Sequence, residues 1–166
     1  MMTSKTLAKK KPQPATQTVA DALQNVLKDT YALFLLKHNY HWNVEGPKFI
    51  SLHGLFEQQY TELFAAIDEI AERIRALDAY ALPNHYSDIL ENVAKLSNPI
   101  LKIKNKDAAA NQMIHNLIKL HEAVVKSAQI AKELADDIDD EESEDIAIAR
   151  IQIHQKAIWM LKSIIK

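Results

Sequence analysis

A chain of 166 residues with only two glycines, Gly46 and Gly54, has little material for tight turns. Its prolines, Pro12, Pro14, Pro47, Pro83 and Pro99, all fall outside the long stretches of regular apolar periodicity. Glycine supplies left-handed turn conformations and proline interrupts helices, so this distribution disfavours β-hairpins and favours long uninterrupted helices. The length fits one domain with a sizeable buried core. With no cysteine in the chain, disulfides, iron–sulfur clusters and cysteine-based zinc sites are excluded. No apolar run approaches a membrane span and no signal-peptide core stands at the N-terminus, so a soluble, cytoplasmic protein is expected.

Apolar spacing at three and four residues divides the chain into helices. Residues 1–16 are polar and aperiodic and read as a mobile tail, leaving 17–166 as one helical domain. A first helix is expected from Thr18 to about Val44, with Leu23, Leu27, Phe34 and His41 on one stripe. Gly46-Pro47 is a stop signal, and a second helix follows from Phe49 to Leu77, burying Phe56, Leu63, Ile67 and Ile74. Pro83 and Pro99 bracket a short helix around Ser87–Lys95. A third long helix covers Ala108–Leu134, using Met113, Leu117, Leu120, Val124 and Ala128. The last runs from Ser143 to Ile165, using Ile148, Ile151, Ile158, Trp159 and Leu161. Four long helices with a long middle connection that carries a short extra helix describe an all-α four-helix bundle.

The chemistry concentrates between residues 41 and 72, where His41, His53, Glu57, Asp68 and Glu72 are all good ligands for iron. On one helix, 100° per residue places His53, Glu57, Asp68 and Glu72 within an arc of roughly 100°. His53 and Asp68 are nevertheless about 22 Å apart along that helix at 1.5 Å per residue. One metal cannot bind both ends. Either the stripe carries two half-sites, or a second copy of the chain lies antiparallel and brings its Asp68 and Glu72 to the first copy's histidines. The di-iron signature of an ordinary ferritin bundle, Glu-x-x-His, is absent: no glutamate here is followed by histidine three residues later.

His41-Trp42-Asn43-Val44, Gly46-Pro47, Phe49, His53 and the run Asp68–Arg73 (DEIAER) resemble the Dps group, ferritin-like mini-ferritins first described as DNA-binding proteins from starved cells. Ile158-Trp159-Met160-Leu161 resembles the end of that family's last helix. The likeness covers about residues 18–166. It implies a ferritin-like bundle assembled as a dodecamer of two-fold dimers, an iron-oxidising and iron-storing shell that uses hydrogen peroxide and protects DNA. The implied ferroxidase ligands are His41, His53 and Glu57 from one subunit and Asp68 and Glu72 from its two-fold mate, holding a di-iron site. Position 57 is commonly Asp in that family and is Glu here. The resemblance also assigns Asp145, in the acidic run from Asp136 to Asp145, to a three-fold pore admitting Fe(II).

The net charge of −2 conceals an asymmetry. Lys5, Lys9, Lys10 and Lys11 put +4 on an acid-free first 20 residues, which leaves −6 on the body. Such a tail suits sequence-independent contact with DNA phosphates, and a bacterial, nucleoid-associated location with it. Every constellation has a plainer counterpart. His41 alone could be a hydrogen-bonded core histidine, Trp42 core packing or an electron donor, and Asp68 and Glu72 a solvated pair or partners of Arg75. His38, His85, His115, His121 and His154 read as structural or exposed. The acidic run could be a solvated connection, and the lysines a solubilising arm. The competing functions are a di-metal oxidoreductase without storage and a DNA-compacting structural protein without ferroxidase activity.

Overall fold

The computed structural model describes residues 15–82 and 86–166. Lys5, Lys9, Lys10, Lys11 and His85 lie outside the described residues. The described chain is helical: α1 (Ala15–Asn43), α2 (Phe49–Ala76), α3 (Tyr86–Ser97), a 3-10 turn at Ile100–Lys102, α4 (Lys106–Asp136) and α5 (Glu141–Ile164). It is the expected ferritin-like four-helix bundle, with α3 as the short helix in the middle connection. Helix α1 begins at Ala15, inside the segment read as tail.

The helices start and stop for local reasons. Asn105 caps α4 by accepting from the Ala108 N–H at 3.0 Å, and Asp140 caps α5 by accepting from the Ser143 N–H at 3.1 Å. Asp140 also receives Arg73 of α2 at 2.5 Å, so one carboxylate caps α5 and ties it to α2. Burial raises the Asp140 pKa, but the Ser143 hydrogen bonds and Arg73 outweigh it and hold the carboxyl below its ordinary value. Glu141, Glu142 and Glu144 in the first turn of α5 suit the positive end of its dipole.

Helix α1 packs against α2, α3 and α4, and α4 packs against α5. Leu23, Leu27, Leu33, Leu36, Phe56, Leu63, Ile70, Ile74, Leu117 and Val124 fill the centre. The periodicity misjudges α5. Ile148, Ile151 and Ile158 are only half-buried and Trp159 is 65% exposed. The face turned inward is Ala147, Arg150, His154, Ala157 and Leu161. Two polar side chains interrupt it, because small alanines let α5 lie close while Arg150 and His154 find partners within the bundle.

Candidate metal centre on an outer helix face

The corner between α1 and α2 builds the centre. Gly46 adopts φ +96°, a left-handed conformation that side chains disfavour, and the Phe49 N–H closes the turn on the Gly46 carbonyl at 3.0 Å. Lys48 anchors the corner to α4 through Asp107 at 2.9 Å and Asn111 at 2.8 Å. The last turn of α1 is thereby set against the second turn of α2, and His41 meets His53.

The two imidazoles stack, with ring centroids 3.8 Å apart and planes 22° from parallel. His41 Nδ1 lies 3.0 Å from the His53 carbonyl oxygen, and His53 Nδ1 lies 2.9 Å from the His41 carbonyl oxygen. A carbonyl only accepts, so both Nδ1 atoms carry hydrogen. In each neutral ring Nε2 is then the lone-pair nitrogen, the form that ligates a metal. His41 is buried and His53 half-buried, with the Tyr60 ring 5.2 Å from one and the Phe49 ring 5.0 Å from the other. Backbone and aromatic neighbours therefore fix both rings before any metal arrives.

Glu57, Asp68 and Glu72 stand exposed on the same outer face of α2. Large apolar side chains share it: Ile50 is 82% and Phe64 66% exposed, and Trp42 from α1 is 64% exposed. Trp42 is therefore not core packing; its ring lies 4.1 Å from His38, which itself lies 4.5 Å from Tyr60. Phe64 lies 6.0 Å from Phe34 and 66% of it faces outward. Exposed aromatics therefore stand beside exposed carboxylates on this one helix face.

The candidate ligands do not close into a site within one protomer. Among the described residues, no three His, Asp or Glu side chains lie close enough together to hold a metal ion. The face carries a histidine half, His41, His53 and Glu57, and a carboxylate half, Asp68 and Glu72, far along the same helix. Arg75 turns to the Ala79 carbonyl at 2.9 Å and over the Tyr80 ring at 4.5 Å, rather than to Asp68 or Glu72. Asp145 is exposed on the first turns of α5, while its neighbour Glu144 is paired with Lys132 at 3.1 Å. His115 is exposed, whereas His121 and His154 are buried together, 2.7 Å apart, in a polar cluster with Lys37. Lys37 sits in the apolar stripe of α1, where periodicity gives no sign of it.

Residues 20–166 match the model of the ferritin-like domain family. A DNA protection during starvation protein from Brevibacillus brevis is 31% identical over 150 residues, which is 90% of this chain and 96% of that protein. The chain belongs to the Dps family. Dps from Thermosynechococcus elongatus superposes with a TM-score of 0.77 at 31% identity, covering 92% of each chain. Dps from Vibrio cholerae O1, described as a member of a broad superfamily of ferritin-like diiron-carboxylate proteins, gives 0.74 at 28% identity over 92% of this chain and 91% of that one. The Dps resemblance thus extends from the HWN segment to the last helix. Among the described residues, no helix is long and apolar enough to cross a membrane.

Proposed function

We propose that this protein is a ferroxidase and iron store of the Dps kind, whose catalytic site is completed by two copies of the chain. The reciprocal His41–His53 pair carries this reading, because it leaves two Nε2 lone pairs ready on a face whose Asp68 and Glu72 lie too far along α2 to join them. Antiparallel pairing of two α2 faces would bring Asp68 and Glu72 of one copy to His41, His53 and Glu57 of the other. The same pairing would cover Trp42, Ile50 and Phe64, all exposed in the single chain.

Fe(II) is the substrate. Imidazole nitrogens and carboxylate oxygens suit it, and a set this small leaves coordination positions for an oxidant. His41 and His53 orient the iron through rings locked by backbone carbonyls, and Asp68 and Glu72 supply negative charge that favours the ferric state. Hydrogen peroxide takes one electron from each of two Fe(II) ions and two protons from solvent, its O–O bond breaks to leave two waters, and with both electrons consumed together no free hydroxyl radical is released. The ferric product hydrolyses, releases protons to water and mineralises inside a dodecameric shell. Asp145 serves iron entry electrostatically. Lys5, Lys9, Lys10 and Lys11 hold DNA without reading sequence, and the assembly resides in the bacterial cytoplasm on the nucleoid. The test is anaerobic Fe(II) loading followed by stoichiometric peroxide, with particle mass measured on the same sample. A monomeric particle, or peroxide consumption without a ferric core, would refute the proposal.

A further inference from the structure

The bundle centre carries a second set of metal-type side chains, separate from the outer face. Helix α1 contributes Lys37, α2 Gln59 and Glu62, α4 His121, and α5 Arg150 and His154. Lys37 is wholly buried. Its Nζ lies 2.5 Å from Gln59 Oε1 and 2.7 Å from His121 Nε2. His121 Nδ1 lies 2.7 Å from His154 Nδ1, and Glu62 is paired with Arg150 at 2.6 Å.

The hydrogens in this chain follow one from another. When Lys37 donates to His121 Nε2, His121 donates from Nδ1 to His154 Nδ1, and His154 carries its hydrogen on Nε2. That atom is buried and has no acceptor among the described residues. His121 is thus oriented through one nitrogen and offers the lone pair of the other to a cation, as a metal-ligating imidazole does. An amide oxygen and an imidazole nitrogen both contact Nζ, and the Glu62 carboxylate, itself paired with Arg150, acts on it electrostatically. The carboxylate favours the ammonium form of Lys37, although burial outweighs it. A cleft of about 260 Å³, lined by Gln59, Glu62 and His121, adjoins the cluster. Four-helix bundles build metal sites from just such inward groups on facing helices.

We propose that Lys37 Nζ occupies a divalent-metal cage at the bundle centre, formed by Gln59, Glu62 and His121 with His154 behind it, and keeps metal out. The amine fills the cage in either protonation state and repels cations when charged. Its consequence for iron, which is thereby confined to the outer face, rests on the proposed ferroxidase site; the cage itself does not.

The test uses full-length shells in which His41→Ala and His53→Ala disable the outer histidine half, so its outcome is independent of ferroxidase activity. Co(II), added without oxygen, is the probe, read by equilibrium dialysis and visible absorption. With Lys37 present, no Co(II) enters the bundle. Lys37→Glu exchanges the cation for a ligand and should bind about one Co(II) per subunit with the spectrum of mixed nitrogen and oxygen ligation. Adding His121→Ala should abolish that signal. The proposal fails if Lys37→Glu binds no more Co(II) than its parent, if removing His121 changes nothing, or if the parent already binds Co(II) through His121. Should Lys37→Glu not assemble, Lys37→Met decides. Weaker binding that still depends on His121 supports the cage, and no binding refutes it.

Discussion

Subunit mixing tests the shared site directly. One variant carries His41→Ala and His53→Ala, and the other Asp68→Ala and Glu72→Ala. Each alone should lose ferroxidase activity, because every interface site lacks half its ligands. The two halves are about 22 Å apart along α2 at 1.5 Å per residue, so neither variant can rebuild a site from its own chain. When the two are unfolded, mixed equally and reassembled, random pairing makes about half the dimers mixed under two-fold symmetry. In a mixed dimer one site receives both damaged halves and the other both intact halves. About a quarter of all sites should therefore be restored. The assay is the initial rate of peroxide-driven Fe(II) oxidation, normalised to shells whose assembly is verified by mass. Well-assembled mixed shells with no recovery would overturn the shared-site reasoning, since a site within one subunit has no full ligand set in either variant.

Three further outcomes are expected, two from the buried polar groups and one from the charge of residues 1–14. Burial, partly opposed by Glu62, pulls the Lys37 pKa from 10.5 to about 7, so above pH 7 the folded chain sheds a proton that the unfolded chain keeps. Its penalty is greatest below pH 7 and lifts as pH rises from 7 toward 10.5, by up to about 5 kcal/mol per subunit. Lys37→Met should raise the unfolding temperature at pH 7 and flatten that rise; an unchanged slope would show that another group carries it. Glu62→Gln strips the carboxylate from Arg150, whose Nε and Nη1 already lack partners among the described residues, and should cost about 3 kcal/mol in denaturant unfolding. A cost near zero would mean that water or another group satisfies the guanidinium. Removing residues 1–14 deletes Lys5, Lys9, Lys10 and Lys11, and gel retardation of DNA should collapse while iron oxidation persists. Undiminished retardation would place DNA binding on another surface.

The helices were legible because apolar spacing and the scarcity of glycine and proline are local properties, and a helix closes its backbone hydrogen bonds within its own segment. The four residues placed on one stripe of α2, His53, Glu57, Asp68 and Glu72, were legible for the same reason. Helical geometry converts a spacing of four or fifteen residues into position on one stripe, and the distance along it already forbids a single-chain site. Sequence could not fix how His41 and His53 meet. Their mutual hydrogen bonds run from ring to carbonyl across the Gly46 corner, and only the turn geometry brings α1 and α2 to that register.

Burial was decided by packing rather than by residue type. Trp42 and Trp159 read as core candidates, yet each points outward, because helix rotation leaves them on faces that this chain does not cover. His154 read as structural or exposed, and apolar spacing singles out neither Lys37 nor Arg150, yet all three lie inside. An isolated buried charge or imidazole is costly, and its sequence neighbours say nothing of whether a partner waits on another helix. Here the partners come from distant positions, His121 for Lys37 and Glu62 for Arg150. The sequence by itself determined the helices and the chemistry of the outer stripe, since both repeat within a few turns. Which polar groups are buried, and what each one bonds to, depends on contacts between distant helices and was decided only by the tertiary structure.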